Sequence, residues 1–137
     1  MGETRTKITL VNVTDFEMAH AGLIKETEVR QAIVDAVVDT GAGHLVINEA
    51  LRAKLGLRII GNRNVTVAGG ARNDCAIASG VLIYWNDRYT SGLPLVLPNE
   101  KETLLGFIPL EDLDLRVCPL EQKVEEAHGN EWVHYVR

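Results

Sequence analysis

The segment Ala36-Val37-Val38-Asp39-Thr40-Gly41-Ala42 constrains this chain most. An apolar run delivers a carboxylate directly to a glycine turn. In the run from Val29 to Val38, Asp35 is the only charge of the second half, which suits a strand buried on both faces. Asp39 cannot stay inside such a strand, because burying an unpaired carboxylate is very costly. Gly41 lets the backbone bend behind it and leaves amide hydrogens free to point at the carboxylate. Asp, Thr and Gly also favour ordinary strand-ending turns, for local hydrogen-bonding reasons. Taken alone, the tripeptide therefore carries little.

The surrounding pattern carries more. Period-two alternation and short apolar runs dominate the chain, so the expected architecture is mostly β. Ile8 to Val13 alternates and reads as a strand. Residues 14 to 27 are mixed and read as a loop or hairpin. Leu45-Val46-Ile47 follows the glycine turn as a short strand. Asn48 can cap a helix whose apolar residues are Ala50, Leu51 and Leu55, with Gly56 as its stop. Val65 to Ala68 runs into Gly69-Gly70, a hairpin-turn signal, and residues 75 to 85 return as one long strand. Asn86-Asp87 marks a second tight hairpin. Leu93 to Leu97 is a strand broken at Pro94, and Thr103 to Gly106 is a short buried one. Pro109 can start a helix. Residues 115 to 118 and 122 to 126 read as a terminal hairpin, and Trp132 to Val136 alternates as a candidate edge strand that could pair with a partner chain.

Length and composition bound the functional classes. The 137 residues form one expected domain, with a core of about 7–126 and a tail or edge strand over 127–137. The net charge of -5 and the lack of a basic run argue against nucleic acid. No apolar run is long enough to span a bilayer, and no signal-peptide core leads the chain, so the expected location is cytoplasmic, with no membrane partner. Cys75 and Cys118 are the only cysteines. Neither they nor the four histidines show metal-ligand spacing, so no metal and no cofactor is expected.

Three landmarks in order, Asp39-Thr40-Gly41, the glycine hairpin at Gly69-Gly70 and Leu104-Leu105-Gly106 followed by a short helix, resemble the retropepsin-like aspartic peptidases. The likeness runs from about Ile8 to Val124 and is closest to small single-domain prokaryotic members. Leu95 to Pro98 and the segment from Leu104 to Leu115 look much like their second half. The resemblance implies a closed or partly open β-barrel with one or two short helices, active as a homodimer. It implies that Asp39 is the catalytic carboxylate, that Thr40 links the two subunits through its hydroxyl, and that Gly41 shapes the loop. Ala42, Gly43 and His44, with Val67, Ala68, Gly69, Gly70 and Ala71 of a flap, would contact substrate. Leu104, Leu105 and Gly106 would brace the loop from behind. Gly43 departs from the pattern, which usually has Ser, Thr or Asp there.

The expected reaction is peptide-bond hydrolysis by an activated water. That needs a base and an acid together. Two adjacent carboxylates sharing one proton supply both, because like charges so close cannot both ionise. The chain holds one Asp-Thr-Gly and no second copy, so the partner carboxylate must come from another chain across a twofold axis. The alternative is a catalytically weak or inactive module of the same fold that dimerises or binds peptide.

Overall fold

Residues 3–66 and 69–136 are described by the computed structural model. In chain order their elements are β1 (Arg5–Asn12), α1 (Val13–His20), a 3-10 turn (Glu26–Glu28), β2 (Gln31–Val38), β3 (Leu45–Ile47), α2 (Glu49–Lys54), β4 (Ile59–Thr66), β5 (Arg72–Ala78), β6 (Val81–Trp85), β7 (Arg88–Gly92), β8 (Leu95–Val96), β9 (Leu104–Leu105), α3 (Phe107–Asp112), β10 (Leu115–Cys118) and β11 (Lys123–Glu126). One sheet runs in the order β4-β5-β8-β3-β9-β2-β1-β6-β7, and β10–β11 is a separate hairpin. The sheet curls but leaves β4 and β7 as edges, so the barrel is partly open. No helix among the described residues is long and apolar enough to cross a membrane.

The two faces of the curled sheet bury different clusters. The main core gathers Ile8 and Leu10 of β1, Ala32 and Ala36 of β2, Leu45 and Ile47 of β3, and Leu105 of β9. A second cluster joins Val46, Cys75, Ile77 and Leu95, with Leu104 and Val65 packed against it. Register explains the split. Leu45 lies opposite Leu105 and Val46 opposite Leu104, so neighbours along each strand point to opposite faces. Val37 is paired with Leu104 and shares its face.

Several expectations change here. β2 is not buried on both faces: Ile33 is 74% exposed, and Asp35 is exposed. Only Val37 is paired with both β1 and β9, and Val38 pairs with β9 while its amide donates to the Thr4 carbonyl, so only that end is enclosed. The segment 14–27 is not a plain loop or hairpin but holds α1. The Asn12 side chain caps this helix by accepting from the Asp15 amide at 3.0 Å and also donates to the Leu55 carbonyl at 2.9 Å. Asp15, nearly buried, then receives the Arg30 backbone amide and two guanidinium nitrogens at 2.8–3.0 Å. With α2 and α3 this makes three short α-helices among the described residues, one more than expected.

Residues 75 to 85 do not form one strand. They bend at Ser79-Gly80, where the Ser79 amide donates to the Arg58 carbonyl and the Val13 amide to the Gly80 carbonyl. The chain there leaves β4 and β8 and joins β1 and β7. α3 begins at Phe107, and Pro109 occupies its first turn rather than its start, where a missing N–H costs nothing.

Trp132 to Val136 forms no strand; its alternation does not meet a free sheet edge. The tail is instead pinned to the body. Trp132 Nε1 and His134 Nε2 both donate to the Asp112 carbonyl at 2.8 Å. Arg88, 4% exposed, donates to the carbonyls of Leu113, Asp114, Gly129 and Glu131. The Asp114 carboxylate accepts from the Val133 amide and pairs with His128.

Candidate active site

The β2 ladder does not stop at Val38. The Asp39 amide donates to the Leu105 carbonyl at 3.0 Å, which carries strand geometry one residue further. Alternation then places Asp39 on the face of Val37 and Leu104, the face that holds the second apolar cluster. Asp39 is half-buried, whereas Thr40, Gly41 and His44 are exposed and Ala42 and Gly43 are half-buried.

The turn folds back on its own carboxylate. The Gly41 amide donates to Asp39 Oδ1 at 3.0 Å, and the Ala42 amide to the Asp39 carbonyl at 3.0 Å. A Cβ on Gly41 would sit 3.2 Å from Asp39 Oδ1, a tight contact that glycine avoids.

The chain from Leu104 to Ile108 holds the turn from the other side. Leu105 is fully buried. The Phe107 and Ile108 amides donate to the Ala42 and Gly43 carbonyls at 2.9 and 3.0 Å. Gly106 lies flat against the loop: a Cβ there would stand 2.5 Å from the His44 carbonyl oxygen and 2.7 Å from that of Ala42. Only glycine permits this approach. Gly43 is different, since a Cβ there would meet Phe107 and Ile108 carbons at 3.7 and 3.8 Å, ordinary contact. Segments 39–44 and 104–106 are thus brought together.

Gly69 and Gly70 turn the hairpin between β4 and β5 with φ of +95° and +86°. Both are exposed, as is Ala71. Val67 and Ala68 lie outside the described residues. In the sheet order β8, β3 and β9 lie between this hairpin and β2, the strand that leads to Asp39.

The charged neighbours of the site are already engaged. Arg5 stands opposite Val37 and binds Glu102 at 2.8 Å, Glu3 at 3.0 Å and Asp35 at 3.5 Å. The hydrogen bond from Arg5 holds the Glu102 carboxyl below its ordinary range. Among the described residues no group of three or more His, Cys, Asp or Glu could hold a metal ion.

A loop bearing one carboxylate can act as base or as acid at a given moment, not both. The sequence reading passed over Phe107 and Ile108. They touch the loop and remain 43% and 46% exposed. Two large apolar side chains opening a helix directly after the bracing glycine were the available signal.

Comparison with known proteins adds the fold family. Residues 26–82 match the family model "Aspartyl protease". No curated protein matches the sequence. The structure is similar to that of EIAV protease complexed with the inhibitor HBY-793, with a TM-score of 0.58, 22% identity, and coverage of 85% of this chain and 93% of that one. It is also similar to the retroviral protease-like domain of Ddi1 from Leishmania major, with a TM-score of 0.55, 13% identity, and coverage of 92% and 89%. The chain has a retropepsin-like fold, mostly β with few helices, as the ordered landmarks implied.

Proposed function

We propose that this chain, 1–137 as one unit, is half of an aspartic endopeptidase. Two copies pair about a twofold axis so that two Asp39 carboxylates share one proton and activate a water against a peptide bond. The observation that carries this reading is the placement of Asp39. It stands at the end of a hydrogen-bonded ladder, on the sheet face away from the main core, in a loop that Gly106 presses into one shape.

In this reading Asp39 is the catalytic residue, Thr40 bridges the subunits and Gly41 shapes the turn. Residues 42–44 and the hairpin tip at 67–71 hold an extended peptide, and Leu104, Leu105 and Gly106 keep the loop rigid. The substrate is a peptide or unfolded protein segment of the cytoplasm. No metal or cofactor is required.

The test is cleavage of a diverse peptide library between acidic and neutral pH. Asp39→Asn is expected to lower turnover by about a thousand-fold or more, with circular dichroism and assembly unchanged. Equal cleavage by Asp39→Asn, or full activity from a persistent monomer, removes the mechanism.

Gly43 favours the second reading, a dimerising or peptide-binding module without catalysis. The loop has room for a side chain there and carries none. Peptides that bind the wild-type chain and are never cut would decide for that reading.

A further inference from the structure

α3 is too short to hold its shape alone. Its six residues make about 9 Å of helix, and far longer helices are marginal in water when isolated. Such a segment persists where the polar groups at both ends find partners elsewhere. Two different parts of the chain meet the two ends of α3. At its start, the Phe107 and Ile108 amides donate to the Ala42 and Gly43 carbonyls. Pro109 has no amide to satisfy, and the Leu110 amide turns back to the Gly106 carbonyl at 3.3 Å. The Asp39 loop therefore supplies the acceptors for both free amides of the first turn.

The other end belongs to the C-terminal tail. The Asp112 carbonyl is an orphan acceptor of the last turn, and it receives two side-chain donors, Trp132 Nε1 and His134 Nε2. A carbonyl oxygen only accepts, so the His134 proton sits on Nε2. The Trp132 ring packs edge-on against Tyr89 of β7 and against His134, each at 5.3 Å between centroids. Arg88 joins the two parts through one buried guanidinium. One of its nitrogens donates to the Leu113 and Asp114 carbonyls just past the helix, the other to those of Gly129 and Glu131 in the tail. Leu110 and Leu113 fix one side of α3 in the main core. Phe107 and Ile108 bury little, so the first turn takes its direction from the hydrogen bonds at the two ends.

We propose that Trp132 and His134 are positioning residues for the Asp39 loop, acting through α3. The tail caps one end of the helix and the loop caps the other, so releasing the tail loosens the loop. The coupling follows from the hydrogen bonds alone, and its value for catalysis rests on the peptidase reading.

Amide hydrogen exchange on the full-length protein tests this. Trp132→Phe keeps a ring and removes one donor. His134→Ala removes the other, and His134→Gln returns a donor near the place of Nε2. Exchange at the Phe107 and Ile108 amides is expected to quicken about fivefold in Trp132→Phe and in His134→Ala, and to fall back towards wild type in His134→Gln. The β1–β2 ladder serves as the reference and should not change. His134 is exposed, so its two variants keep the test decisive if Trp132→Phe fails to fold. Unchanged exchange at Phe107 and Ile108 overturns the proposal. Equal quickening in the β1–β2 ladder does so too, since it marks a general loss of stability. Peptide turnover is measured in the same variants and is expected to fall and recover in step with exchange. Full turnover from a chain whose two amides have opened removes the positioning role. A wild-type chain that cuts no peptide sinks the catalytic reading, and the exchange result still decides the coupling.

Discussion

Gly106 and Gly43 meet the same loop with opposite steric demands. A methyl at Gly106 collides with backbone oxygens of Ala42 and His44, atoms that cannot move without breaking the turn. Gly106→Ala is expected to cost about 2–3 kcal/mol in urea unfolding. Gly43→Ala should change stability by no more than about 0.5 kcal/mol, since its Cβ falls at ordinary contact distance. Equal losses at both positions would mean that the brace is not what holds the loop. The candidate loop and the segment that braces it could be picked out from the residues themselves. Asp39-Thr40-Gly41 and Leu104-Leu105-Gly106 stand out because chemistry and close approach both restrict which residue types can serve. Phe107 and Ile108 did not stand out, because their contact with the loop and their exposure are properties of the folded surface.

α1 turns on Asn12, which does two jobs at once. Its side-chain oxygen caps the helix and its amide satisfies the Leu55 carbonyl behind α2. Asn12→Ala removes the cap and orphans a buried carbonyl, for an expected loss of about 2 kcal/mol, read from the urea midpoint. A shift under about 0.5 kcal/mol would show that α1 is held by the Asp15–Arg30 pair alone. Local signals decided which elements were legible. α2 announces itself through the Asn48 cap and through Gly56 at φ +64°. α1 carries the same kind of cap at Asn12, but Val13, Thr14 and Phe16 are indifferent helix formers, and the Asp15–Arg30 pair that also holds it is a contact between separate elements. The bend at Ser79-Gly80 and the docking of Trp132 onto Asp112 are likewise tertiary. Period-two alternation is present in both stretches, but which strand or carbonyl they meet depends on the rest of the chain.

At the scale of the molecule, two nearly buried carboxylates tie acid stability to the fold. Hydrogen bonds from Arg30 hold the Asp15 carboxyl below its ordinary 3.8. The hydrogen bond with His128 does the same for Asp114. Folding therefore favours the deprotonated forms. Their contribution is complete above the unfolded value and disappears as pH falls through the lower folded values. Melting temperature should be flat around neutrality and drop steeply below about pH 4, and Asp15→Asn should flatten part of that drop while lowering stability at pH 7. An acid branch unchanged in that variant would acquit Asp15. Any peptidase assay at low pH must be read beside this curve, since lost activity there has two sources.

Cys75 gives the molecule a built-in gauge. Its sulfur lies in the second apolar cluster, 3.3 Å from the Val96 carbonyl oxygen across the β5–β8 seam, and burial pushes the thiol above its ordinary value. Cys118 is half-exposed. A thiol-labelling reagent should therefore modify Cys118 promptly and Cys75 only when β5 lifts from β8, so the slow phase times the breathing of the glycine hairpin without any introduced probe. Equally fast labelling of both would mean that this seam does not stay shut.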